Sequence, residues 1–74
     1  MKKTMKHFLV RFRYSNDNAT IVESVVSFGE NERLAILNIK EDYYSYEMES
    51  LGFECDIEAI EIDKLEATIL AKYL

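Results

Sequence analysis

The chain has 74 residues, a net charge of −5 and 49% apolar residues, among them five Tyr and four Phe but no Trp, and it contains no Pro. This is one domain near the lower size limit for a self-sufficient core, and too apolar for a disordered tail. One cysteine excludes an internal disulfide, and no run approaches the ~18 apolar residues of a membrane helix.

The charge is unevenly placed. The first fourteen residues hold five cations (Lys2, Lys3, Lys6, Arg11, Arg13), His7 and no acid, and the other sixty hold fourteen acids against four cations. Met1-Lys2-Lys3-Thr4-Met5-Lys6 has the basic look of a signal n-region. The apolar run after it, Phe8-Leu9-Val10, is cut by Arg11 and Arg13, so no h-region follows. Cys55 as the single cysteine suits a reducing compartment, and a cytoplasmic protein is expected. Asn18-Ala19-Thr20 matches a glycosylation sequon, a chance match in a turn without secretion. So short a chain with this much apolar surface is expected to hide some of it against a partner.

From His7 to Tyr14 the pattern alternates, with Phe8, Val10, Phe12 and Tyr14 on one face and His7, Leu9, Arg11 and Arg13 on the other. Period two with aromatic and β-branched residues predicts a half-buried strand. Ser15-Asn16-Asp17-Asn18 is a cluster of turn formers, and a second β-rich stretch, Thr20 to Ser27, completes a hairpin. In that strand Val22 and Val26 are expected to face the core, with Glu23 and Val25 opposite. A helix follows, capped by Ser27 with Glu30 or, for a later start, by Asn31. It is expected to run from Glu32 to Ser50. Ala35, Ile36, Ile39, Tyr43 and Tyr46 form one apolar arc, and Leu37, Tyr44, Met48 and Leu51 an adjacent one. That is more apolar surface than the usual single stripe. Gly52 ends the helix as a C′ residue.

Phe53 to Ile62 predicts a third strand with Phe53, Cys55, Ile57 and Ala59 on one face and Glu54, Asp56 and Glu58 on the other. The apolar parity slips at Ile60 and Ile62, as a bulge or an early helix start would make it do. Asp63 with Glu66 resembles a cap. Leu65, Ile69, Leu70 and Tyr73 then follow helical spacing, with a continuing strand as the alternative. The order ββαβ(α) and a right-handed crossover predict an α+β domain of residues 1–74. Its three-stranded sheet has order 3-1-2, with the helix on one face and the other face open. Arg11 and Arg13 would then sit on the central strand between Glu23 and the Glu54–Glu58 row, leaving Lys2, Lys3 and Lys6 as a loose basic end.

Few groups could do chemistry. His7 is the only histidine, and with Cys55 alone it cannot complete a zinc site, which takes four ligands. No nucleophile–histidine–carboxylate set and no glycine-rich phosphate loop is present, so neither an enzyme nor a cofactor is expected. Cys55 lies between Glu54 and Asp56, the wrong electrostatics for a reactive thiolate. Arg11, Phe12, Arg13 and Tyr14 interleave cations with aromatics, but strand parity puts the two kinds on opposite faces, and the net charge repels polyphosphate. Direct nucleic-acid binding and membrane binding are therefore not expected.

Two sets of residues remain as candidate partner surfaces. Glu54, Asp56 and Glu58 repeat along a strand at ~6.6–6.8 Å, comparable to phosphates along one nucleic-acid strand. With Glu41, Asp42 and Glu49 of the helix they could imitate a phosphate backbone in a basic groove. The alternative is a solvated strand face whose acids pair with Arg11 and Arg13, each pair worth only ~0.2–1 kcal/mol. Tyr44, Met48 and Leu51 belong either to the core or to a candidate homodimer interface, since Tyr and Met are favoured at interface centres. The C-terminal helix, through Leu65, Ile69 and Leu70, is the competing cover, and core packing is the expectation for Tyr43 and Tyr46.

Ile21-Val22-Glu23-Ser24-Val25-Val26-Ser27, the helix through Leu34-Ala35-Ile36 and the strand Ile57-Glu58-Ala59-Ile60-Glu61-Ile62 together resemble the DpnD/PcfM-like group of small phage and mobile-element ββαβ proteins. The chain is also similar in make-up to anti-CRISPR proteins, which are short, acidic and without catalytic motifs. These resemblances transfer no functional residues. They imply a non-enzymatic phage protein that inhibits a larger nucleic-acid-handling machine, such as a CRISPR effector, through protein–protein contact or DNA mimicry. The alternative expectation is a homo-oligomeric structural or regulatory module built on the Tyr44/Met48/Leu51 stripe.

Overall fold

The computed structural model describes residues 5–74. Lys2 and Lys3 of the expected basic end lie outside the described residues. The chain forms β1 (Lys6–Ser15), β2 (Thr20–Gly29), α1 (Glu32–Tyr43), α2 (Tyr46–Ser50), β3 (Glu54–Ile62) and α3 (Lys64–Tyr73). The strands make one sheet of order β2-β1-β3, with β1 central and antiparallel to both neighbours. This is the α+β domain and the strand order that the sequence predicts.

The hairpin turn is built by one side chain. Asn16 Oδ1 accepts from the backbone N–H of Asn18 and of Ala19, each at 2.8 Å, and the Asn16 N–H donates to Ala19 O at 3.0 Å. That local closure fixes the register, pairing Phe8 with Ser27, Val10 with Val25, Phe12 with Glu23 and Tyr14 with Ile21. Opposite residues of a ladder share a face, so Val25, Ser27 and Gly29 lie on the core side. The expectation that Val22 and Val26 face the core is therefore overturned. A one-residue difference in register exchanges the two faces of a strand, and both parities of β2 are apolar enough to mislead.

Phe8, Val10, Phe12, Tyr14 and Ala35 form the buried centre, against which Val25, Ile36, Ile39, Tyr44, Met48, Phe53, Cys55, Ile57 and Ala59 pack. Fully burying a Phe side chain contributes roughly 1.5–3 kcal/mol, so β1 carries much of the stability. Small residues let α1 approach β2 closely. Ser27 is buried and its Oγ donates to Ala35 O at 2.8 Å, while a Cβ at Gly29 would meet Ala35 N at 2.7 Å. Ser27 is thus a core strand residue and not the expected helix cap. Asn31 is the cap, its side chain accepting from the Leu34 N–H at 3.0 Å.

The single long helix expected over Glu32 to Ser50 is broken at Tyr44 and Ser45. The Ser45 N–H donates to the Tyr14 hydroxyl at 2.8 Å, and Ser45 Oγ caps α2 by accepting from the Met48 N–H at 3.3 Å. Both bonds reward leaving the helix at that point. Gly52, with φ +90°, closes α2 as expected: its N–H donates to Glu49 O at 3.0 Å and the Phe53 N–H to Met48 O at 3.1 Å. These are the two bonds of a Schellman cap.

β3 pairs with β1 in unbroken register from Ser15–Glu54 to His7–Ile62, so no bulge underlies the parity slip. Instead Ile60 and Ile62 turn to the second face of the sheet, beside Leu9 and His7. That face is partly covered by α3, which lies across β1 and β2. The expectation of an open second face is corrected accordingly. Asp63 caps α3, accepting from the Glu66 N–H at 2.7 Å. Ala67 is its buried residue and Leu70 half-buried, whereas Leu65, Ile69 and Tyr73 point to solvent.

Candidate interaction surface

All fourteen carboxylate residues of the chain are exposed. None is needed to complete the core, and every one is open to solvent. Glu54, Asp56 and Glu58 stand at alternate positions on the second face of β3, an edge strand. Glu41 and Asp42 lie on α1 and Glu49 on α2, over the opposite face of the sheet. The six candidate acids are thus divided into two groups with the sheet between them.

The β3 group meets the arginines of β1. Arg11 is paired with Glu58 across the ladder and its Nη1 lies 3.2 Å from Glu58 Oε1. Arg13 stands opposite Asp56, and the four side chains line a shallow depression of about 200 Å³. Glu23 does not join them. It sits opposite Phe12 on the helix side, and the β2 neighbours of Arg11 and Arg13 are Ser24 and Val22. Lys6 is likewise not loose, since its Nζ lies 3.7 Å from Glu61 Oε1. Both ion pairs are solvent-exposed, and such pairs are worth little stability.

Tyr43 and Tyr46 do not take the core places expected of them, and Tyr44 takes the core one of its two alternatives. Tyr44 and Met48 pack against the core, whereas Tyr43 and Tyr46 are 50% and 64% exposed. The break after Tyr43 rotates everything beyond it away from the phase of a continuous helix. Of the expected dimer stripe only Leu51, 65% exposed, is free to meet a partner. Tyr44 is a hub: its ring centroid lies 6.4 Å from Phe12, 6.0 Å from Tyr14 and 4.8 Å from Tyr46. Its hydroxyl donates to Glu49 Oε2 at 3.0 Å, and Lys40 Nζ stands 5.6 Å from the ring centroid. Burial, then the hydrogen bond to Glu49 and its charge, push the Tyr44 phenol up to about 12. Glu49 is therefore tied to the aromatic cluster as well as presented to solvent.

Cys55 faces the helices on the core side of β3, and burial followed by the Asp56 charge pushes its thiol up. A raised thiol is a poor nucleophile. His7 is half-buried, opposite Phe28 and Ile62. Among the described residues no three His, Cys, Asp or Glu side chains are grouped to hold a metal ion, and no helix is long and apolar enough to cross a membrane.

One surface escaped the sequence reading. Ile21, Val22 and Phe28 of β2 are exposed, as are Tyr43 and the C-terminal Leu74. The signal was present in Thr20 to Gly29, whose two faces are both apolar in a strand with one charge. Comparison with protein-family models, curated proteins and solved structures returned no match.

Proposed function

We propose that this protein is a non-enzymatic binding protein that inhibits a larger nucleic-acid-handling machine by occupying a Lys/Arg-rich groove, as an anti-CRISPR or related anti-defence protein. The observation that carries the reading is the edge strand β3, which presents Glu54, Asp56 and Glu58 at alternate, exposed positions. Carboxylates at ~6.6–6.8 Å intervals suit a groove built for a phosphate backbone. Arg11 answers Glu58 locally, so Glu54 and Asp56 are the leading contacts. Complementary charge of this kind accelerates association and sets the orientation of the partner. Glu41 and Asp42, on α1 over the other face of the sheet, would meet the opposite wall of a groove that encloses the β3 edge.

The test is capture from the lysate of the native host on the immobilised protein. A nucleic-acid-handling complex should be retained and should be displaced by added DNA or RNA. The variant Glu54→Gln/Asp56→Asn/Glu58→Gln should retain at least tenfold less, with unchanged far-ultraviolet circular dichroism. Neutral amides are preferred to Lys, because reversed charges would stand directly opposite Arg11 and Arg13 and destabilise the ladder. Undiminished capture by the folded triple variant sinks the reading.

A further inference from the structure

The outer edge of β2 is open among the described residues. Since the Asn16 N–H donates to Ala19 O, the alternation of an antiparallel ladder puts the bonds to β1 on the odd residues of β2. The N–H and C=O of Thr20, Val22, Ser24 and Val26 then point outward. Phe28 obeys the same alternation, and its outward C=O is met by Asn38 Nδ2 of α1 at 2.6 Å. The helix closes that end of the edge and leaves Thr20 to Val26 without a ladder partner among the described residues. Along the open part runs a groove of about 230 Å³, lined by Ser24, Val25 and Val26 of β2, Tyr43 of α1, Ala71 of α3 and Leu74 at its C-cap.

We propose that β2 pairs antiparallel with β2 of a second copy about a two-fold axis through Ser24, joining two three-stranded sheets into one of six strands. Three observations select a second copy as the occupant. First, the edge is self-complementary. Centred on Ser24, the pairing sets Val22 against Val26 of the second copy, and the reverse, while Glu23 faces Val25 and not its own counterpart. β-Branched pairs of this kind stabilise a ladder and opposed carboxylates destabilise it. Second, charge directs two acidic molecules to this edge. β2 has one acid in ten residues, whereas β3 has Glu54, Asp56, Glu58 and Glu61, so two β3 edges repel. β2 also has none of the Lys, Pro or bulges by which solitary edges are guarded. Third, the edge leaves apolar side chains in water, with Val22 46% and Phe28 55% exposed, and covering such surface is favourable.

The pairing goes beyond the inhibitory reading and does not depend on it, because the β3 acids that carry that reading lie on the opposite edge of the sheet. Sedimentation equilibrium from micromolar to millimolar protein should give twice 8.7 kDa. Val22→Lys should return the mass to that of the monomer, and Leu51→Lys, on the exposed end of α2, should leave the dimer intact. The register has its own readout. Residues directly opposite in a hydrogen-bonded pair have Cα atoms ~5.5 Å apart, within disulfide range. Ser24→Cys in a Cys55→Ser background should therefore cross-link into a dimer under mild oxidation, whereas Thr20→Cys in that background should not. A wild-type monomer throughout the range overturns the proposal and leaves the edge to a strand of another protein. A dimer that survives in folded Val22→Lys, or the absence of the Ser24→Cys cross-link, overturns it equally.

Discussion

Tyr44 holds the junction between α1 and α2 through its ring and its hydroxyl. The ring fills the space above Phe12 and Tyr14, and the hydroxyl reaches Glu49 on the next helix. Both contacts favour the neutral phenol, which explains the shift from 10.0 to about 12. The consequence for stability has a definite sign. In the unfolded chain the phenol loses its proton near 10, so deprotonation there favours unfolding until the folded protein also ionises. Stability is thus fully present below pH 10 and falls as the pH rises from about 10 to about 12. Urea midpoints measured across that window should fall for the wild type and fall distinctly less for Tyr44→Phe, with Tyr14, also raised by burial, supplying the remainder. Equal slopes for the two proteins would show that Tyr44 plays no part. No periodicity could have placed Tyr44 inside and Tyr43 outside, because that depends on Tyr14, thirty residues earlier, capturing the Ser45 N–H. The local half of the signal was there: Ser45 followed by Glu47 is a helix start.

At the scale of elements, the two glycines do different work. Gly52 adopts φ +90° in open space, with nothing within 4 Å of an added Cβ, so Gly52→Ala meets conformational strain alone. It should cost about 1 kcal/mol. Gly29 has an ordinary backbone but a Cβ added there would meet Ala35 N at 2.7 Å, so Gly29→Ala must push α1 off β2. Overpacking of that kind costs about 1–3 kcal/mol. Denaturant unfolding should rank Gly29→Ala as the more damaging, and the reverse order would mean that α1 can shift freely. The caps at Asn31 and Asp63, the Gly52 stop, the hairpin and the alternation of β1 were legible because each is a local signal of a few residues. The face of β2 and the cover of the second sheet face were not. Ile21, Val22, Val25 and Val26 offer both parities, and only the hairpin register selects one. Ile60 and Ile62 could be read as a bulge or as a second apolar face, and only the docking of α3 decides. The acids of the candidate surface were visible one by one, but their division between two sides of the sheet follows from the topology.

For the whole molecule, the radius of gyration of 13.4 Å exceeds the about 11 Å of a compact chain of this length. The excess goes with an elongated molecule, 46 × 25 × 17 Å, built on two ten-residue hairpin strands. The central position of β1 has a further result, in time. Its pairs with β2 begin at Ser15–Thr20 across a four-residue turn, whereas those with β3 join residues 39 apart at Ser15–Glu54 and 55 apart at His7–Ile62. Closing the longer loops costs more chain entropy, and non-local pairing slows folding. This predicts that the hairpin with α1 forms the folding nucleus and that β3 docks after the barrier. Substitutions divide accordingly between the two kinetic limbs. Val10→Ala, in β1, should mainly slow refolding, and Ile57→Ala, in β3, should mainly speed unfolding, as stopped-flow chevrons would show. Comparable effects of Ile57→Ala on both limbs would place β3 in the nucleus. The strand that carries the acid row is on this account the last to join the sheet and the first to leave it.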